Sequence, residues 1–487
     1  MKFSLVNLEL KEIIADLEMI LVIDKVFSHR FIEDEALLKR ASFQGNQDEV
    51  CHLVSTNRVY VGVETFDAEH IRSAIAVATR SFIAKSAYKS VKIATYMHTP
   101  HTFNTLQAMV EGFVLGGYQF QRYQTKKSSV AFKKVMISSE SFNQEAFSLE
   151  RAIEVIHHAE VVAMATNFTR DIVNTTPEDC YPKRLAQLAQ TLEKKDVVCN
   201  ILKPKELKKE GMNMLLAVSR ASRHKPRVIH LSYKPKNPQH CISLVGKGLT
   251  YDSGGLSLKP ADYMATMKSD KSGGATVLGI MKAVSELKLP IEVHGFIGAV
   301  ENMIGGDAYK PDDVLMAKNG KTVEVKNTDA EGRLVLGDLL VYAQQEVSSD
   351  YLFDFATLTG ACVVGVGQYT SGVMGYNHRL KERVVSLAYQ SGEFATRLDF
   401  NRYLAKTLTS NIADLSNISN TRYGGAITAG QFLAEFITEE NREKWVHIDI
   451  AGPAFVEHIW GENPSGASGA GVRMMMEFLT SLTQKSL

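Results

Sequence analysis

The sequence predicts an α/β fold in two domains: a smaller N-terminal α/β domain, and a larger C-terminal α/β domain with a mixed, mainly parallel sheet covered by helices. Three observations carry this expectation. The chain has 487 residues, and one domain takes about 100–200. Apolar, β-rich runs alternate with stretches whose apolar residues recur at helical spacing, the pattern of a sheet covered by helices. A single long helical stretch separates two such series, so the expected division is residues 1–141, a linking helix at 142–171, and 172–487.

In the first series, strands are expected at Met19–Ile23, Arg58–Val63, Val91–Tyr96 and Val130–Ile137. Between them Ile71, Ala74, Ile75, Ala78 and Phe82 mark one helix, and Leu106, Met109, Val110, Phe113 and Val114 mark another that Gly116-Gly117 ends. The linking stretch has an apolar stripe through Leu149, Ala152, Ile153, Ile156, Ala159, Val162, Ala163 and Thr166, and Asn174-Thr175-Thr176-Pro177 breaks the pattern, because proline disfavours helix before it. In the second series, strands are expected at Val228–Tyr233, Cys241–Val245, Ile291–Val300, Tyr351–Ala356 and Trp445–Ile450. Helices are expected near Pro182–Lys194, Thr276–Leu287, Leu334–Gln345, Lys381–Gln390 and Thr428–Ile437, and the lysine-rich run Lys203–Lys209 reads as the solvated side of another.

Composition excludes several classes. With 55 basic against 54 acidic residues the net charge is +1, which leaves no strong field for nucleic acid or an anionic membrane. No apolar run approaches the roughly 18 residues of a membrane span, and the N-terminal segment, with acids from Glu9 onward, lacks the form of a secretory signal. Cys51, Cys180, Cys199, Cys241 and Cys362 are odd in number and form no C-x-x-C pair, which suits free thiols in a reducing cytoplasm.

Two segments carry chemistry. Asn327-Thr328-Asp329-Ala330-Glu331-Gly332-Arg333-Leu334 places two carboxylates two residues apart, with an arginine next and a helical apolar pattern behind. Alone it reads as well as a solvated turn at a helix N-terminus. About 80 residues earlier stands Val245-Gly246-Lys247-Gly248-Leu249-Thr250-Tyr251-Asp252-Ser253-Gly254-Gly255, with Lys259 and then Met267-Lys268-Ser269-Asp270 behind it. Lys247 is placed at the carboxyl edge of a strand, where open α/β sheets bind ligands, and the four glycines permit positive φ and close backbone approach. Singly, Lys247 is a surface lysine and Asp270 a helix cap. The phosphate-loop spacing G-x-x-x-x-G-K-[ST] is absent. Four carboxylates brought together would repel unless positive charge sat among them, and divalent ions of the Mn, Mg or Zn kind accept such oxygen ligands.

Taken together these segments resemble the leucyl aminopeptidases, also called cytosol aminopeptidases. The resemblance rests on VGKGLTYDSGGLSLKP at Val245–Pro260, MKSDKSGGA at Met267–Ala275 and NTDAEGRL at Asn327–Leu334. It continues in Asp354–Ala361, Tyr423–Gly430, His447–Pro453 and Gly466–Arg473, in family order. It implies a metal-dependent aminopeptidase that releases N-terminal residues, preferably leucine and other apolar ones, from peptides with a free N-terminus, by attack of a water held between two metal ions. By the same resemblance Asp252 and Glu331 bridge two divalent ions (Mn²⁺ or Zn²⁺), Asp329 binds one of them, and Lys247 and Asp270 bind the other. Lys259 and Arg333 are the implied catalytic pair, with bicarbonate at Arg333. Met267, Thr357, Gly360 and Ala451 are the implied pocket wall, with Asn327 as a polar neighbour; packing in the core is the competing reading for each wall residue. The implied assembly is a homohexamer. As a metal ligand Lys247 must be neutral, its pKa lowered by burial and nearby cations, since an ammonium has no lone pair. Departures from the family pattern, Thr176 before Pro177 and Lys271-Ser272 after Asp270, fall on no implied ligand. The competing function is a DNA-binding protein on a peptidase fold, a role known among bacterial members; against it stand the near-neutral charge and the small size of the clusters at Lys126-Lys127 and Lys203–Lys209. A two-metal phosphoesterase would employ histidines, which this constellation lacks.

Overall fold

The computed structural model describes residues 1–483 except 86, 98, 100–102, 130, 131 and 195. The chain divides into two compact units, one of Met1–Asn167 with Glu457–Ser465, the other of Phe168–Val456 with Gly466–Leu487.

The first unit is built on a six-stranded sheet in the order Lys2–Val6, Lys134–Ser141, Ser90–Thr95, Leu17–Ile23, Arg58–Val63, Val50–Leu53. Every junction is parallel except the last. Met19, Ile20, Leu21 and Val22 are all wholly buried although successive side chains face opposite ways, as a sheet covered on both faces requires. The strand expected at Val130–Ile137 begins at Lys134; Val130 and Ala131 lie outside the described residues. The long helix runs Leu149–Asn174 rather than 142–171, starting where the Ser148 hydroxyl accepts the Arg151 amide and caps it.

The second unit carries an eight-stranded sheet. Its order is Phe394–Arg397, Thr370–Met374, Trp445–Asp449, Tyr351–Ala356, Cys241–Asp252, Glu292–Asn302, Arg227–Tyr233, Val197–Leu202. The four central strands are mutually parallel, and antiparallel neighbours flank them. The three strands without a forecast, Val197–Leu202, Thr370–Met374 and Phe394–Arg397, are peripheral, and the first alternates buried and exposed rather than presenting an apolar run. The Ser272–Leu287 helix covers one face, where a side chain at Gly295 would meet Val277 and Met281. The Glu331–Glu346 helix covers the other, where one at Gly298 would meet Val335 and Leu339. The four lysines of Lys203–Lys209 are exposed around a buried Leu207, as expected of a solvated helix face. Among the described residues no helix is long and apolar enough to cross a membrane.

Two differences from expectation move functional residues. The strand expected to stop at Val245 continues to Asp252, so Lys247 is inside it rather than at its edge. Gly246 and Gly248, which depress strand propensity, pair as ordinary ladder residues with Ile297 and Ala299, while Gly254 and Gly255 adopt positive φ. The helix expected from Leu334 begins at Glu331, which puts Glu331 and Arg333 in its first turn.

Candidate metal centre

One cavity of about 480 Å³ is lined by every residue singled out from the sequence: Lys247, Asp252, Asp270, Asp329 and Glu331; Lys259 and Arg333; Met267, Asn327, Thr357, Gly360 and Ala451. It opens at the carboxyl ends of the central strands, since Asp252 ends one and Thr357 and Ala451 closely follow two others. None of the wall candidates belongs to the packed core: Met267, Thr357 and Ala451 are half-buried and Gly360 is exposed.

The four carboxylates converge. Oxygens of Asp252, Asp329 and Glu331 lie within 4.8 Å of one another. Asp252 is fixed by its Oδ1, which accepts from the Gly254 amide at 2.8 Å and from Asn302 Nδ2 at 2.9 Å. Asp270 is not the cap of the following helix: its Oδ1 accepts from Lys247 Nζ and the Thr357 hydroxyl, both at 2.7 Å. Lys259 Nζ stands 2.9 Å from Asp252 Oδ2 and 2.5 Å from Asp329 Oδ1. Lys247 Nζ also donates to the Thr357 carbonyl at 2.8 Å and stands 3.2 Å from Glu331 Oε1.

The cluster is short of positive charge. Burial, then the charge of Asp252, pushes Glu331 up to about 8. Burial likewise holds Asp270 and Asp329 above the usual carboxylate range. Asp270 Oδ2 and Glu331 Oε2 are buried with no hydrogen-bond partner among the described residues. Acceptor oxygens without donors, aimed into one cavity, are the donor set that hard or borderline divalent cations take.

The acids set the charge of both lysines in the absence of cations. Lys259 is held above its usual range, burial being outweighed by Asp252, Glu331 and Asp329, so it stays charged. Lys247 was expected to be neutral beside bound cations. Burial does push it down, but Asp270, Glu331 and Asp252 more than reverse this, and among the protein's own charges it is an ammonium. A lone pair appears on Lys247 only when cations invert the field of those three acids.

Arg333 is buried and its Nε has no hydrogen-bond partner among the described residues, while one terminal nitrogen donates to the Asn417 carbonyl at 2.9 Å. Burial lowers its guanidinium to about 10. It also lines an adjoining cavity of about 390 Å³ with Ile418, Asn420 and Arg422.

Sequence reasoning missed the residues that hold this arrangement. Asn302 ends the strand beside Asp252 and donates through one nitrogen to Asp252 Oδ1 and to the Thr328 carbonyl, both at 2.9 Å. Asn417 bonds both the amide of Lys326 and the carbonyl of Asn327, pinning the loop before Asp329. An isolated asparagine carries no spacing signal, so neither was legible. Asn302→Ala is expected to weaken metal affinity by about 10–100-fold, read by titration of metal-stripped protein; unchanged affinity would show that Asp252 needs no such support. Gly332 is the other omission: a Cβ there would meet Lys247 Cε at 2.4 Å. Gly332→Ala should displace Lys247 and lower both bound metal and activity, with the far-ultraviolet circular dichroism unchanged.

An α/β sheet with an acid-rich, cation-seeking cavity at its carboxyl edge defines the class of metal-dependent hydrolases. The model of the cytosol aminopeptidase family catalytic domain matches residues 167–476, and that of its N-terminal domain matches 35–127. The chain belongs to the cytosol aminopeptidase family and is a metal-dependent aminopeptidase. A relative from Wolinella succinogenes named "Probable cytosol aminopeptidase" is 49% identical over 478 residues, 98% of each chain. Another of that name from Campylobacter jejuni is 46% identical over 488 residues, 100% of each. Among solved structures, a tomato leucine aminopeptidase mutant matches with a TM-score of 0.88 at 28% identity, covering 98% of this chain and 96% of its own. The bottromycin maturation enzyme BotP in complex with Mn matches at 0.85 and 29% identity, covering 97% and 100%.

Proposed function

We propose that the chain removes N-terminal leucine and other apolar residues from peptides, using two divalent ions, Mn²⁺ or Zn²⁺, held by Lys247, Asp252, Asp270, Asp329 and Glu331. The observation that carries this reading is the convergence of Asp252, Asp329 and Glu331, with Asp270 joined to Glu331 through Lys247, and a repulsion among them that the neighbouring lysines do not relieve. When bound, such ions supply an activated water and a Lewis acid for the scissile carbonyl. The chain's own groups do the rest. Asp252 and Glu331 would hold both ions, with Asp329 beside one and Lys247 and Asp270 beside the other. Lys259, charged and at the cavity's edge, polarises the scissile carbonyl and stabilises the oxyanion. Arg333, with an unused Nε donor, holds bicarbonate beside the reacting centre. Met267, Thr357, Gly360 and Ala451 receive the apolar side chain, with Asn327 as a polar neighbour. Residues 1–141 and 172–487 serve as accessory and catalytic domains of a cytoplasmic homohexamer, with the stretch 142–171, helical from Leu149, as the link between them.

The test is hydrolysis of leucine p-nitroanilide with added Mn²⁺ or Zn²⁺, alongside native mass spectrometry. Turnover that a chelator removes and either ion restores is expected, with two ions per chain and a hexamer. No turnover by folded, metal-loaded protein would overturn the assignment, and faster release of a charged than an apolar residue would overturn the preference.

A further inference from the structure

At the amino ends of the same strands lies a second group of donors. Cys241 opens the Cys241–Asp252 strand and pairs in register with Glu292, which opens the Glu292–Asn302 strand. His294, two residues on, faces the same side of the sheet as Glu292. One donor atom each from Cys241, Glu292 and His294 lies within 4.8 Å of the others. His294 uses both ring nitrogens: Nε2 is 2.8 Å from Glu292 Oε1, and Nδ1 is 2.9 Å from Nε2 of His230, on the neighbouring strand. His230 is itself fixed by stacking on Phe296, ring centroids 4.2 Å apart. The group stands roughly 35 Å along the strand from Asp252, taking about 3.3 Å per residue, so it takes no part in the cavity at the other end.

We propose that Cys241, Glu292 and His294 form a separate Zn²⁺ site at the amino edge of the sheet, with His230 as the positioning residue for His294. A thiolate, an imidazole and a carboxylate are the three donor types zinc takes, and two anionic ligands neutralise its charge. The metal takes the place of the contact between His294 Nε2 and Glu292, while the Nδ1 contact to His230 sets the tautomer that frees Nε2. Binding releases one proton to solvent, from the Cys241 thiol, while His294 stays neutral with its single proton on Nδ1, donated to His230 Nε2. Lys234 Nζ, 2.9 Å from Glu292 Oε1, remains as an outer partner of the carboxylate. Half-buried Cys241 and partly exposed Glu292 leave an entry path from solvent.

Cobalt(II) titrated into the protein already loaded with Mn²⁺ gives the test, because a thiolate ligand produces a sulfur-to-cobalt charge-transfer band in the near ultraviolet, whereas a site of carboxylates and lysine has no sulfur to produce one. One such band per chain is expected. Zn²⁺ should bleach it, Cys241→Ser should abolish it without changing leucine p-nitroanilide turnover, and His230→Gln should weaken cobalt affinity by about 10–100-fold. Independently of any variant, Zn²⁺ should slow alkylation of Cys241 by iodoacetamide, read by peptide mass spectrometry. Absence of the band, its persistence in Cys241→Ser, or alkylation of Cys241 that Zn²⁺ leaves unchanged would each overturn the site.

Discussion

Glu331→Gln is expected to lower kcat for leucine p-nitroanilide on the order of 10³-fold or more, the equivalent of about 4 kcal/mol of transition-state stabilisation. The substitution changes charge and almost nothing else, since glutamine has the shape of glutamate. Glu331 is 1% exposed, and its Oε2 has no hydrogen-bond partner among the described residues, so a new amide nitrogen there displaces no existing bond. The folded state should not suffer: a buried acid pushed up to about 8 by burial and by Asp252 is itself an electrostatic burden. Thermal stability without added metal should therefore equal or exceed that of the parent, while metal content and turnover fall. That opposition separates loss of the site from loss of the fold. Undiminished turnover with two ions still bound would remove Glu331 from its bridging role.

How much of this was legible in the sequence follows from the physics of each residue. The acids and lysines announced themselves because like charges at close spacing need a reason, and two clusters about 80 residues apart supply one jointly. Their convergence depends on strand order, which periodicity does not encode: Cys241–Asp252 lies between Tyr351–Ala356 and Glu292–Asn302, partners about 50 and 110 residues away. The central strands were found because burial on both faces makes them largely apolar runs, as in Met19–Ile23. The peripheral strands were missed because half-exposed residues interrupt that signal in Val197–Leu202 and Phe394–Arg397, and the Thr-Ser-Gly start interrupts it in Thr370–Met374. Glycine misled in one place, ending a strand at Val245 that parallel pairing carries on to Asp252. The protonation of Lys247 without cations was not legible for a different reason. Burial alone pushes a lysine down, yet Asp270, Glu331 and Asp252 more than reverse it, so its state follows from neighbours that only the fold brings near.

The two lysines give the second large effect, because the geometry assigns them opposite consequences. Lys259→Ala is expected to lower kcat by about 10²–10³-fold, the scale of losing one oxyanion-stabilising donor, with KM little changed. It should leave both ions bound. Lys259 Nζ competes with cations for Asp252 Oδ2 and Asp329 Oδ1, so removing it strengthens the field that attracts them. Lys247→Ala should do the reverse. It removes the amine packed against Asp270 and Glu331 and leaves a void in a site that is 3% exposed, so metal content should drop together with activity. Elemental analysis of the two variants beside their kcat values makes the comparison. Metal lost from Lys259→Ala and kept in Lys247→Ala would exchange the two roles. Metal kept in both, with activity lost in both, would remove Lys247 from the ligand set and leave four carboxylates holding the ions alone.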